Sequence, residues 1–164
     1  MQSAHYRFII LEQMIVLAII NFILNGAIAL GVNHGVKIIP LWGLISISGD
    51  TFATAFILTL LVGIIVTPIT RKKIQSGHLP HSNWRRSSNA ILGILPQKTF
   101  ARSFVLALIY TIIVAPTTVF VLWALNITQM HFWPFIIFKA SFAAFMSVLV
   151  GPIVAICAIG DNED

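Results

Sequence analysis

Three ionisable side chains of this 164-residue chain fall inside long apolar runs: Glu12, Asp50 and Lys139. A charge in hydrocarbon is costly, so each is a candidate for function. All three stand near the ends of their runs, where water is within reach. Lys139 can lead its ammonium outward along its own stem. Taken singly, solvation at the interface is the simpler role for each. Asn21 and Asn25, four apart, share one helix face. Two amides there suit a bond to a neighbouring helix or the wall of a polar site. Thr59 and Ser147 are the other polar groups near that depth. A proton-coupled carrier places a carboxylate or histidine at mid-membrane, and this sequence has neither there.

Other chemistries find little support. His78 and His81 flank Pro80 as a two-ligand pair, whereas a zinc site needs three or four ligands. No cysteine or carboxylate lies nearby in sequence. His34 and His131 fall on the other side of the bilayer, where a histidine can ligate a haem or pigment but is more often solvated. No nucleophile stands beside a base, no glycine-rich loop offers itself to a phosphate, and no carboxylates pair. The expectation is no enzyme, no metal and no cofactor. Cys157 excludes an intramolecular disulfide and reads as a small core residue. Asn126-Ile127-Thr128 fits a glycosylation sequon, relevant only in a eukaryotic secretory pathway.

The elements that must hold these residues are membrane spans. The chain is 58% hydrophobic and 9% charged, where a soluble domain has about a quarter charged. A span needs roughly 20 apolar residues. Four segments qualify: Phe8 to Gly31, Asp50 to Ile69, Ser103 to Leu125 and His131 to Ile159. They fill most of the chain, so 1–164 is one membrane domain with no separate soluble unit. Phe8 to Leu24 followed by Ala27-Ile28-Ala29 mimics a signal peptide. The run is too long and continues past that point, so it is expected to be the first span.

Charge sets the topology. Of the ten Lys and Arg residues, Arg71, Lys72, Lys73, Arg85, Arg86, Lys98 and Arg102 lie between spans two and three. By the positive-inside rule the 70–102 loop and both termini face the cytoplasm, as in a bacterial inner membrane. The net charge of +5 therefore belongs to a membrane face and does not indicate nucleic acid. Arg71, Lys72, Lys73, Arg85 and Arg86 can hold anionic headgroups, each worth about 1 kcal/mol near the surface. Trp42, Trp123 and Trp133 fall at outer span ends and Trp84 in the inner loop, as interfacial anchoring requires. Pro40 starts an expected short interfacial helix through Gly49. Ala90 to Leu95, stopped by Pro96, reads as a surface helix. Pro116 and Pro152 are expected to bend spans three and four.

The chain looks like one helical hairpin used twice. Phe52 to Gly63 resembles Phe142 to Gly151, so Gly63 aligns with Gly151 and Thr59 with Ser147. The fold class expected is an all-α membrane protein of four transmembrane helices, as two parallel-repeated hairpins. The repeat carries small residues every four positions: Thr51, Ala55, Thr59, Gly63 and Thr67 in span two, then Ala143, Ser147, Gly151 and Ala155 in span four. Such stripes let backbones approach closely. Spans two and four are expected to meet along Gly63 and Gly151, which would also bring Asp50 and Lys139 to one depth.

A two-span pattern with small residues, closing on a proline and a basic cluster, here Thr67-Pro68-Ile69-Thr70-Arg71-Lys72-Lys73, resembles an uncharacterised bacterial family of small membrane helical hairpins. The resemblance covers the first half better than the second, where Cys157 and Asp161 stand instead of that ending. It implies a membrane hairpin and carries no activity, cofactor or site residue. Two roles follow from the residues. One is a non-catalytic accessory, assembly or structural subunit, acting through helix packing as a homo-oligomer or within a larger membrane complex. The alternative is a small oligomeric transporter or channel, with Asn21, Asn25 and Thr59 lining a cavity between subunits. The charge-free mid-membrane zone favours the first.

Overall fold

The computed structural model describes residues 3–80, 84 and 89–161. His81, Arg85 and Arg86 lie outside the described residues. In chain order the elements are α1 (Ser3–Val32), β1 (Ile38–Pro40), α2 (Ile47–Gln75), α3 (Ala90–Ile94), α4 (Thr99–Ala124), β2 (Gln129–His131) and α5 (Phe132–Gly160). The helices α1, α2, α4 and α5, at 30, 29, 26 and 29 residues, are long and apolar enough to cross a membrane. The protein is an all-α, multi-pass membrane protein. At 1.5 Å per residue these helices run about 40–45 Å, beyond the roughly 30 Å of hydrocarbon. Their ends therefore reach the headgroup layers.

The boundaries differ from the hydropathy reading for local reasons. Ser46 caps α2, its hydroxyl accepting from the Gly49 amide at 3.1 Å, so the helix starts before Asp50. It continues through Pro68 to Gln75, and the Thr67–Lys73 segment is helical. The helices α4 and α5 likewise run uninterrupted through Pro116 and Pro152. Backbone groups freed by proline inside a bundle find partners among neighbours and local adjustments. In α1 the stretch Phe8–Val16 is π-helical, with the Leu17 amide donating to the Glu12 carbonyl five residues back. No proline or glycine marks that stretch.

The segment from Pro40 is not the expected interfacial helix. Pro40 ends β1, and bends follow to Ser46. The strand wins because a partner is at hand: β1 pairs antiparallel with β2, Ile39 opposite Met130. The pairing is extended by Leu41 N to Thr128 O at 2.8 Å and Phe132 N to Lys37 O at 3.2 Å. Gly43, at φ +132°, then turns the chain through a conformation side chains disfavour. Ile39 and Leu41 are buried in a small apolar cluster with Ile47, Val119, Leu122 and Phe135, which closes one end of the bundle. Trp42, Trp123 and Trp133 stay largely exposed around it.

The packing order of the spanning helices is α4, α2, α5, α1. The helices joined in sequence, α1–α2 and α4–α5, do not pack along their lengths. Each hairpin is splayed, and its second arm lies at the centre. The core therefore gathers around α2 and α5, with Ala55, Leu58, Val62, Phe142, Ala143, Met146, Val150 and Val154 buried together. The peripheral helix α1 contributes little buried surface, and its Ile10, Ile15, Ile19, Phe22 and Ile23 side chains are exposed, as suits a helix in lipid that is as apolar as they are.

Candidate functional site

The charged residues come together in pairs near the two ends of the bundle. At the end that carries the strands, Lys139 on α5 donates to the Asp50 carboxylate on α2. Lys139 is buried at 7% exposure, so its charge is met by a counter-charge and not by snorkelling. These residues do share a depth, and the central position of α2 and α5 puts them in contact.

At the opposite end further ion pairs form. Glu12 on α1 pairs with Lys73 on α2, and the Lys73 ammonium also lies 5.0 Å from the centre of the Phe8 ring. Arg102 on α4 pairs with Asp161, just past α5. Asp161 also accepts from Arg71 at 3.2 Å. Arg102 reaches Thr67 Oγ1 at 3.3 Å and Arg71 reaches Thr99 Oγ1 at 3.4 Å. Arg102 is 1% exposed, the largest fully buried side chain described. Sequence reasoning placed Arg102 in the basic loop and Asp161 in the C-terminal segment, and gave neither a partner. A signal was available: Asp161 stands as far past Gly151 as Lys73 stands past Gly63. Arg71 and Lys73 thus face protein carboxylates, while Lys72 is exposed. Farther in, His5 donates from Nε2 to the Pro80 carbonyl at 2.8 Å, tying the start of α1 to the loop after α2.

The small-residue positions Thr51, Ala55, Thr59, Gly63, Ala143, Ser147 and Gly151 are all buried. Gly63 and Gly151 do not face each other, however. A Cβ on Gly63 would overlap Ser103 of α4; one on Gly151 would overlap the Gln13 carbonyl of α1. The reason is helical drift. Residues four apart on a helix of 3.6 residues per turn advance about 40° each step. Over the three steps from Thr51 to Gly63 the stripe therefore turns about 120°, onto a different neighbour. The hydroxyls of Thr51 and Ser147 bond back to the carbonyls of Ile47 and Ala143, at 2.7 and 2.8 Å, the usual outlet for such residues inside a helix. Thr59 Oγ1 is buried with no partner.

Between α1 and α2, where the first hairpin splays, lies a groove of about 530 Å³. Its walls are mostly aliphatic, among them Ile20, Leu24, Ile57 and Leu61. Glu12 and Gln13 mark one end, Asp50 and Lys139 the end nearer the strands, and Asn21 and Asn25 stand between. Neither asparagine bonds a neighbouring helix. Each amide nitrogen donates to a carbonyl of α1 itself, Leu17 at 3.0 Å and Asn21 at 3.1 Å. Gln13 is 5% exposed and its Oε1 has no hydrogen-bond partner. Sequence reasoning passed over Gln13, although Gln13, Leu17, Asn21 and Asn25 continue one four-residue spacing. The groove thus brings together every residue singled out for polar chemistry in α1, together with the outer ion pair. Thr59 is not part of it.

No family model matches the chain, and neither a curated protein nor a solved structure matches it. The class defined by the fold is a multi-pass membrane protein with four spanning helices, and function must be argued from the groove and its charges.

Proposed function

We propose that this protein is a non-catalytic membrane subunit that acts by association inside the bilayer, taking up a partner molecule between α1 and α2. One observation carries the reading: two helices joined in sequence leave a groove of about 530 Å³ between them instead of packing. Hydrocarbon gives helices no hydrophobic drive to associate, so a splayed hairpin is stable when other contacts hold its arms. Here α5 holds α1 at Gly151, and α4 holds α2 at Gly63.

The reading includes an internal duplication. Gly63 meets the residue after Arg102, and Gly151 meets the residue after Glu12. Arg102 and Glu12 each pair with the terminal charge of their own hairpin. The two outer strands also pair with each other across the bundle. These correspondences support two parallel copies related by an axis along the membrane normal. The lysine and arginine bias supports a bacterial inner membrane with both termini in the cytoplasm. Single cysteines at Ser76 or Gln129, in a Cys157→Ser background, test this with an impermeant thiol reagent. Labelling from outside at 76 but not 129 would reverse the orientation.

A second reading, a small transporter, is favoured by Asn21 and Asn25 lining the groove. Reconstitution in liposomes separates the two. The subunit reading expects no specific solute or ion flux. Flux that disappears in a folded Asn21→Leu, Asn25→Leu variant would sink it.

A further inference from the structure

We infer that the groove is closed by a second copy of this chain, α1 beside α1 in parallel, with Asn21 and Asn25 of the two copies bonded to each other across a two-fold axis along the membrane normal. This rests on the groove being a site of association, as proposed above. The amides choose the partner. Asn21 is 9% exposed, Asn25 is partly exposed, and both line the groove. Each carboxamide donates one N–H to a carbonyl of its own helix. Neither carboxamide oxygen accepts a hydrogen bond among the described residues. An amide offers two N–H donors and an oxygen with two lone pairs, so each side chain keeps one donor and its acceptor unused. Asn21 stands about 16 Å from the nearer end of α1 at the helical rise, a depth inside the hydrocarbon, where water does not serve it. An acyl chain there has no N–H or O–H to give. A helix that carries an amide does.

A second copy brings the matching groups to the matching depth. Two copies with the same orientation in the bilayer, related by an axis along its normal, set Asn21 opposite Asn21 and Asn25 opposite Asn25. Each opposed pair exchanges two bonds, the unused N–H of one amide to the oxygen of the other. A short side chain reaches its counterpart only if the backbones come close, and the face beside the groove permits that. Ala27 and Gly31 are exposed and four apart, the spacing that lets membrane helices approach. Gly63 and Gly151 are used inside the chain, against Ser103 and Gln13, whereas a Cβ on Gly31 would meet nothing within 4 Å. Viewed down α1, Ile20, Leu24, Ala27 and Gly31 fall within about 60°, and Asn21 stands about 60° round from Leu24. Ile20 and Leu24 belong both to this face and to the groove. Phe22 is also exposed, but it points about 160° away from Leu24 and takes no part.

The test uses the full chain in vesicles of phosphatidylethanolamine and phosphatidylglycerol. Leu24→Cys and Phe22→Cys, each in a Cys157→Ser background, are exposed to an oxidant. Leu24→Cys is expected to give a disulfide-linked dimer and Phe22→Cys to stay monomeric. Energy transfer between copies labelled at Ser76→Cys in the same background, followed on dilution with lipid, measures the association. Asn21→Leu combined with Asn25→Leu should weaken it at least about tenfold, the size of the reciprocal amide bonds lost. Gly31→Phe should also weaken it. That side chain meets nothing inside the chain, so it keeps the test open if the asparagine variant folds poorly. Equal cross-linking at 22 and 24, no energy transfer by the parent protein, or an unchanged association in either variant that folds would overturn the proposal. A benzophenone side chain at Leu24, activated in the native membrane, distinguishes the occupants. An adduct with a second copy supports the proposal. An adduct with lipid or with another polypeptide overturns it, yet leaves the groove standing as a binding site. No adduct with another molecule and no dimer would overturn both.

Discussion

The two hairpins solve the same construction problem and finish it differently. In each, the second arm carries a glycine against the other hairpin, and a charge on the first arm meets a charge at the end of the second. The signs are reversed: Glu12 with Lys73 in one, Arg102 with Asp161 in the other. So is the setting. Glu12 and Lys73 are 45% and 34% exposed at their side chains, Arg102 and Asp161 only 1% and 7%. The second hairpin also has a strut. Tyr110 spans from α4 to α5, its hydroxyl donating to the Leu149 carbonyl at 3.1 Å. Tyr110 stands as far past Ser103 as Ile20 stands past Gln13. Ile20 has no hydroxyl to reach with, and it lines the groove. One hairpin is therefore locked and the other left open.

The largest expected effect lies in the locked hairpin. Asp161→Asn leaves Arg102 buried without its full counter-charge. Breaking one side of a buried pair costs about 3–5 kcal/mol. The melting temperature in detergent should fall well below that of any variant of the exposed pair. If Asp161→Asn and Glu12→Gln melt alike, the contrast between the hairpins is wrong.

Next come the glycines. Gly63→Leu and Gly151→Leu should each destabilise by about 1–3 kcal/mol through overpacking. Because they face Ser103 and Gln13 separately, their effects should add, as those of independent sites do. Ser103→Gly should partly rescue Gly63→Ala and leave Gly151→Ala unchanged. Coupling between the two glycines in a double-mutant cycle would restore a direct α2–α5 contact there.

How much of this was legible in sequence depends on the scale of the signal. Span number followed from hydropathy alone, because bilayer thickness sets it. The burial of the four-residue stripes was also legible, since small residues mark close approach. Their partners were not: drift of a period-four stripe on a 3.6-residue helix redirects it over three turns. The π-helical stretch left no mark, and β1 became a strand only because β2 lay opposite. The site was half legible. Asn21, Asn25, Glu12, Asp50 and Lys139 were singled out by polarity in apolar runs. Gln13 was missed beside them, and Arg102 and Asp161 were missed because they sit just outside the runs.

The Asp50–Lys139 pair is expected to lie between the two extremes. It joins the hairpins, and its side chains are 24% and 9% exposed. A double-mutant cycle on Asp50→Asn and Lys139→Met should give a coupling of about 0.5–3 kcal/mol. Additive effects would mean that water satisfies each charge alone.

The smallest effect on stability sharpens the comparison most. Glu12→Gln should cost about 0–1 kcal/mol, the worth of an exposed pair, and the melting temperature should barely move. A Glu12→Lys change should do more, because it sets two ammonium groups together, and Lys73→Glu added to it should recover the loss. If the pairs are equivalent in position, the open hairpin accepts either sign, as the locked hairpin already shows with Arg102 on the first arm. The reversed pair keeps the fold but puts the cation on α1 beside Gln13. A reversed pair that fails to recover stability would mean that Glu12 holds α1 through something other than Lys73.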